Sequence, residues 1–172
     1  MSAGANSENS SPEGNRVGTK RSDTRWRDPE GEIWASRFEY LVYKSLKAQG
    51  YTVTRCAGKD SIPFQSDIRG GVCKACGSSD VAQDHTYTPD LVVVSKRART
   101  GSHYYIEAKG YIRANRRSLL RQAAKALAGK GIDLRLVAQR NYPVGKSDLA
   151  GWCTKYLKIP FHVWNGKLPE DW

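Results

Sequence analysis

The residues able to do chemistry gather in two short stretches. "HTYTPDLVVV", His85 to Val94, sets Asp90 at the entrance of an apolar run, directly after Pro89. "YIEAKG", Tyr105 to Gly110, sets Glu107 and Lys109 on either side of Ala108. Side chains at i and i+2 of a strand share a face. Ile106 and Ala108 are therefore expected in the core, with Glu107 and Lys109 looking outward. The polar segment "SKRARTGS" between the stretches predicts a hairpin. An antiparallel pair puts the start of one strand beside the end of the next, so Asp90 and Glu107 should converge with the lysine next to them. Carboxylates forced together repel unless a cation bridges them. Hard oxygen donors that leave room for water suit Mg²⁺ or Mn²⁺. A lysine beside such a pair can orient an attacking water or neutralise a phosphate oxygen. The plainer reading makes Asp90 a strand-start residue and leaves Glu107 and Lys109 as a solvated ion pair.

Periodicity predicts the elements that must position these groups. Phe38, Leu41, Val42, Ser45 and Leu46 fall at helical spacing in a helix expected from about Glu30 to Gln49, with Gly50 as its stop. "YTVTR", Tyr51 to Arg55, reads as a strand, and "DLVVV" and "HYYIEAK" follow as the hairpin. A second helix is expected over Asn115 to Ala128, with Leu119, Leu120, Ala123, Ala124 and Leu127 inward and Gly129 ending it. "IDLRLVAQ" alternates as a strand, with Ile132, Leu134, Leu136 and Ala138 on one face. Ser147 and Asp148 should cap a third helix carrying Leu149, Trp152, Tyr156 and Leu157, before "IPFHVW" as a last strand or edge. The order α-β-β-β-α-β-α-β implies an α/β fold, a mixed sheet flanked by helices. Residues 1–28 read as a disordered, partly basic tail, and 29–172 as one domain interrupted by a polar, Cys-bearing insertion at 56–85.

Lys and Arg number 28 against 17 Asp and Glu, a formal charge of +11. Such an excess favours a polyanionic partner. "GYIRANRRSLLRQAAKALAGK" carries Arg113, Arg116, Arg117, Arg121, Lys125 and Lys130 with no acid, starting just after Lys109. A run of one sign suits DNA phosphates, which position a duplex without reading its sequence. No apolar run approaches the roughly 20 residues of a membrane span. The first residues lack the apolar segment of a secretory signal, so a soluble, cytoplasmic protein is expected.

Four cysteines without an export signal suggest reduced thiols or metal ligands. "VCKACGSSD" is half of a zinc-ribbon pattern. Cys73 and Cys76 can supply two thiolates to Zn²⁺, and the nearest further donors are Cys56 and His85. Free thiols are the alternative. Cys153 reads as a small core residue. His103 and His162 read as strand residues with no partner in view.

The pair Pro89-Asp90 and Glu107-x-Lys109 resembles the PD-(D/E)xK motif of the restriction-endonuclease-like nucleases. The longer strings "HTYTPDL" and "IEAKG", with the closing "GWCTKYLKIPFHVWNGKLPEDW", resemble the phage endonuclease I family of Holliday-junction resolvases. The resemblance runs from about Ser36 to the C-terminus, outside the Cys-bearing insertion. It implies a restriction-endonuclease-like sheet in an intertwined homodimer, hydrolysing phosphodiesters of branched double-stranded DNA with Mg²⁺ and leaving a 5′-phosphate. It gives Asp90 and Glu107 to the metal and Lys109 to the attacking water. By the pattern "SRFEYLVYKSLKAQGY" it adds Glu39 to the acidic set, in the same chain or across the dimer. Ser36 and Glu39 also form a possible capping box, but a helix from near Pro29 would put Glu39 mid-helix, where no cap is needed. Two other readings use the same residues. One is a nuclease of this fold acting on mismatched, nicked or site-specific duplex. The other is a zinc-ribbon DNA-binding module without enzymatic activity.

Overall fold

Two apolar blocks, one on each face of a single sheet, set the architecture. The structure is a computed structural model and describes residues 25–67, 75–77, 82–95 and 102–172. Strands β1 (Trp26–Arg27) and β2 (Ile33–Trp34) precede helix α1 (Arg37–Ala48) and strand β3 (Thr52–Arg55). Strands β4 (Ile62–Asp67), β5 (Ala82–Tyr87), β6 (Leu91–Val94) and β7 (His103–Lys109) follow, then helix α2 (Ala114–Gly129) and strand β8 (Leu134–Ala138). The short pairs β9 (Pro143–Val144) and β10 (Ser147–Asp148) lead into α3 (Leu149–Trp152), a π-helical turn (Cys153–Leu157) and β11 (Phe161–Val163).

The main sheet has the order β11-β8-β7-β6-β3. Strands β3, β6 and β7 are antiparallel neighbours, whereas β7, β8 and β11 run parallel. The expected order of helices and strands in this core is the observed one, as is the mixed sheet. On one face Phe38, Val42 and Leu46 of α1 pack with Val53, Leu91, Val93, Ile106 and Ala108. On the other, Leu120, Ala124 and Leu127 of α2 pack with Leu134, Leu136, Ala138 and the buried Cys153. Strand β8 departs from the expected alternation. All five of its residues are buried, because helices or C-terminal residues cover both faces of a central strand.

The element boundaries shift for local reasons. The first helix starts at Arg37 rather than Glu30, since Asp28 accepts from Glu32 N at 2.7 Å and from Trp34 Nε1 at 2.9 Å. That side chain gives residues 28–34 a turn to form instead of a helix. Residues Trp26–Arg27 are consequently ordered, ahead of the expected boundary at 29, and Trp26 packs on Tyr40 with centroids 4.6 Å apart. Residues 1–24 lie outside the described residues. Leu41, expected inward, is exposed, while Tyr40 is buried among the N-terminal tryptophans. At the other end Gly50 does stop α1, with φ +84° and its N–H on Lys47 O. In α2 the stop is Gly131, with φ +69°, and Gly129 is still helical. Leu119 of α2 is half-buried rather than buried. Asp148 alone caps α3, accepting from Gly151 N at 2.8 Å, and Ser147 pairs with Val144.

The flanks of the insertion form a ribbon, with Phe64 opposite His85 and Ile62 opposite Tyr87. Phe64 is buried, and Ile62 and Tyr87 pack against the core beneath α2. The polar segment is therefore anchored by its own apolar ends. The two histidines read as partnerless have contacts. His103 stands edge-on to Tyr105 at 5.3 Å, and His162 Nε2 lies 3.0 Å from Lys167 O. No helix among the described residues is long and apolar enough to cross a membrane.

A buried ion pair sits at the start of β8. Arg135 Nη2 lies 2.7 Å from Asp133 Oδ2 and its Nε 3.3 Å from Oδ1, both side chains being buried. The guanidinium also sits 3.8 Å above the Tyr104 ring. Removing one partner strands the other charge away from water. Asp133→Ala should lower the unfolding free energy by roughly 3–5 kcal/mol in urea titration. A variant as stable as the wild type would refute that.

Candidate active site

The site is built where β6 begins and β7 ends. Pro89 has no N–H to give a ladder, so pairing starts after it. Asp90 N donates to Ile106 O at 3.1 Å. The Asp90 carboxylate then takes the N–H of Ala108, at 2.8 Å, as a continuing strand would. This fixes the side chain at the sheet's end. Lys109 Nζ lies 3.0 Å from Asp90 Oδ2 and 2.6 Å from Glu107 Oε1. The cation between the two carboxylates is thus the chain's own ammonium.

Glu107 does not look outward as the strand alternation suggested. It is only 5 % exposed. Its face of the sheet is the one that carries α2, and Tyr87 of β5 lies against it. Tyr87 is close enough to bias the charge on Glu107. Yet Tyr87 Oη and Glu107 Oε2 are both buried without a hydrogen-bond partner of full geometry among the described residues. Burial first, then the charge of Asp90, pushes the Glu107 carboxyl up to about 7, against the pull of Lys109. Burial works against the Lys109 ammonium as well, but Glu107 and Asp90 outweigh it and hold its proton above the ordinary lysine range.

Glu39 joins this group from α1. Its position is the first helical turn, not mid-helix. Ser36 is the N-cap, and its Oγ accepts from Glu39 N at 3.1 Å. Capping by Ser36 and service at the site coexist, because the cap uses the backbone of Glu39 and leaves its carboxyl to turn inward. Burial and then Asp90 push that carboxyl up to about 7, while Arg55 and Lys109 oppose the rise. Glu39 therefore stands beside Asp90 of its own chain.

Of the expected zinc donors, Cys56, Cys76 and His85 lie among the described residues. Cys73 lies outside the described residues, and Cys76 is exposed in a turn. His85 stacks on Phe64, centroids 5.1 Å apart. Cys56 belongs with the acidic group. Its thiol is pushed up to about 12 by burial and by Asp60, Asp90, Glu107 and Glu39. Among the described residues no three His, Cys, Asp or Glu side chains meet as a ready-made metal cluster.

The basic run lies where the spacing put it. Arg113, Arg116, Arg121, Lys125 and Lys130 are exposed, and Arg117 is half-buried with its Nε 3.3 Å from Ile112 O. Arg113 caps α2 without a side-chain bond, and the first turn has no acid. Cations at the positive end of a helix oppose its dipole, so this arrangement is costly for the helix itself. It concentrates positive potential beside the end of β7.

Sequence reasoning missed Tyr87 and Arg55, and did not place Cys56 beside Asp90. The pairing of "YTVTR" with "DLVVV" carried the signal for Cys56, since one more rung sets it opposite Asp90. Neither a family model, nor a curated protein, nor a solved structure matches the chain.

Raised carboxyls have a fixed sign in stability. The folded chain holds these protons more tightly than the unfolded one, so the contribution is full below about 4.5 and is lost as pH rises to about 7. With divalent metal chelated, Glu39→Gln should gain stability relative to the wild type across that window. Urea unfolding at several pH values measures this, and a difference independent of pH would contradict it.

Proposed function

We propose that the chain is a metal-dependent endodeoxyribonuclease of the restriction-endonuclease-like kind, acting on four-way and other branched DNA junctions. The observation that carries this reading is the convergence of Asp90, Glu107 and Lys109 at the joined ends of β6 and β7, with Glu39 beside Asp90. The resemblance of "HTYTPDL" and "IEAKG" to the phage endonuclease I family supplies the reaction class. The mixed sheet with helices on both faces is compatible with it.

The residues fit a hard divalent ion. Asp90, Glu107 and Glu39 offer carboxylate oxygens, and Glu107 Oε2 is buried against Tyr87 with no hydrogen-bond partner of full geometry among the described residues. These three would hold Mg²⁺ or Mn²⁺. When bound, the ion supplies Lewis-acid activation of water and neutralises charge on the phosphoryl oxygens. Everything else falls to the chain. The Lys109 ammonium, one-third exposed and held protonated, reaches outward from the carboxylates to orient the attacking water or meet a phosphate oxygen. The Asp90 carboxylate is immobilised by Ala108 N, so the site needs little reordering when substrate arrives. Tyr87 closes the inner side of Glu107 against water. Arg113, Arg116, Arg121 and Lys125 lie along α2 as contacts for phosphates, which hold DNA without reading bases. A homodimer would present two such centres to opposite strands of a junction.

The test compares a four-way junction with linear duplex of the same sequence, in Mg²⁺. Preferred cutting of the junction is expected. Equal cutting of both favours the mismatched, nicked or site-specific duplex reading instead. Lys109→Ala should slow cleavage by about 10²- to 10⁴-fold with little change in junction affinity. Glu107→Gln should abolish it, and undiminished activity there would remove the site assignment. Arg116→Ala and Arg121→Ala should each weaken binding and lower the log–log salt slope by about 1. An unchanged slope would place the DNA elsewhere.

A further inference from the structure

The nuclease reading, on which this inference rests, accounts for cutting but not for telling branched DNA from continuous duplex. The chain holds a ring suited to that task beside Lys109. Strands β7 and β8 run parallel with Lys109 opposite Ala138, so the segments that follow them leave the sheet together. Gln139 N donates to Lys109 O at 3.1 Å. Gly110 then passes so close to Gln139 that a Cβ there would lie 3.3 Å from its Oε1. The next residue, Tyr111, is 58 % exposed, more than any other large apolar side chain among the described residues. Its ring leans on that of Tyr142, with centroids 4.9 Å apart and planes at 36°. Tyr142 is itself buried, and its hydroxyl accepts from Ile112 N at 2.6 Å. Tyr111 is therefore held from behind by a fixed ring and open to solvent in front.

Charge selects the occupant. Residues 109–117 and 139–147 hold no acid. Arg113 and Arg116 of the first segment and Arg140 of the second are exposed. An aromatic face set among cations suits a nucleobase whose own strand carries the phosphates. In continuous duplex each base is covered above and below by its neighbours and has no face to give. A branch point interrupts that stack and leaves a face open. We propose that Tyr111 is the residue by which this chain recognises branched DNA, its ring stacking on a base left uncovered next to the phosphate that meets Lys109. Two residues of extended chain span at most about 7 Å, so a single strand reaches both groups. The ring is a positioning residue. It sets which phosphate comes to the carboxylates and takes no part in breaking the bond. Continuous duplex is disfavoured because it lacks an open base, not because it clashes.

Binding with divalent metal chelated reads this contact without turnover. The full chain is titrated against a four-way junction carrying 2-aminopurine at the branch point, and against linear duplex carrying it at the same position. Tyr111→Ala should weaken junction affinity about 10-fold, abolish the fluorescence change of the junction probe, and leave affinity for linear duplex as it was. Tyr111→Phe, which keeps the ring, should behave as the wild type. Full junction affinity in Tyr111→Ala, an equal loss on both DNAs, or a loss in Tyr111→Phe as large as in Tyr111→Ala overturns the proposal. A photocrosslink gives a readout that needs no variant to fold. With 5-iodouracil at the branch point, the wild type should crosslink through the peptide that holds Tyr111, and a crosslink confined to other peptides also overturns the proposal. Junction-selective cleavage that survives intact in Tyr111→Ala sinks the stacking role and spares the nuclease reading. Tyr111-dependent junction binding without cleavage of any DNA in Mg²⁺ does the reverse.

Discussion

The centre depends on a repulsion held in check. Asp90 and Glu107 are brought side by side by the antiparallel register of β6 and β7, and the Lys109 ammonium sits between them. Neither carboxylate could be held there alone at low dielectric without losing its charge. The register is not free to slip. A shift of one residue would turn Leu91 and Ile106 out of the core and Asp90 into it. The apolar alternation that stabilises the sheet is therefore what holds the charged groups together.

From that hairpin the rest of the molecule can be read as support. Helix α1 covers the apolar face of the same rungs and brings Glu39 to Asp90, while its cap at Ser36 fixes where the helix begins. Helix α2 follows β7 after a few residues and covers the opposite face, so its basic start cannot lie far from Lys109. The ribbon of β4 and β5 adds Tyr87 as a wall behind Glu107. Layers on both faces make the end of this sheet a place where a charged group can be buried and still lie near the surface.

The site was legible where chemistry and alternation agree. Asp90, Glu107 and Lys109 could be placed together from a turn and two strand patterns, and they do meet. The helices were legible in number but not in start. Asp28 reaches Trp34 across six positions, a side-chain contact that no periodicity reports. Glu39 shows the limit more sharply. Its membership in the acidic group was expected on a mid-helix position, whereas it sits in the first turn, under a cap that the S-x-x-E spacing had offered. Cys56 and His85 were drawn to Cys73 and Cys76 by nearness in the chain. In the fold β3 ends with Cys56 beside Asp90, while β5 carries His85 onto Phe64.

The sequence by itself determined the basic charge, the order of the three main helices and the strands of the central sheet, and the pair of carboxylates with their lysine. Each of these is a local property of residue type and spacing. Only the tertiary structure decided that Glu107 is buried, that Tyr87 and Cys56 belong beside it, and that β8 is covered on both faces. Burial and electrostatic neighbourhood arise between elements far apart in the chain. A local pattern can say which way a side chain points from its strand, but not what comes to cover it.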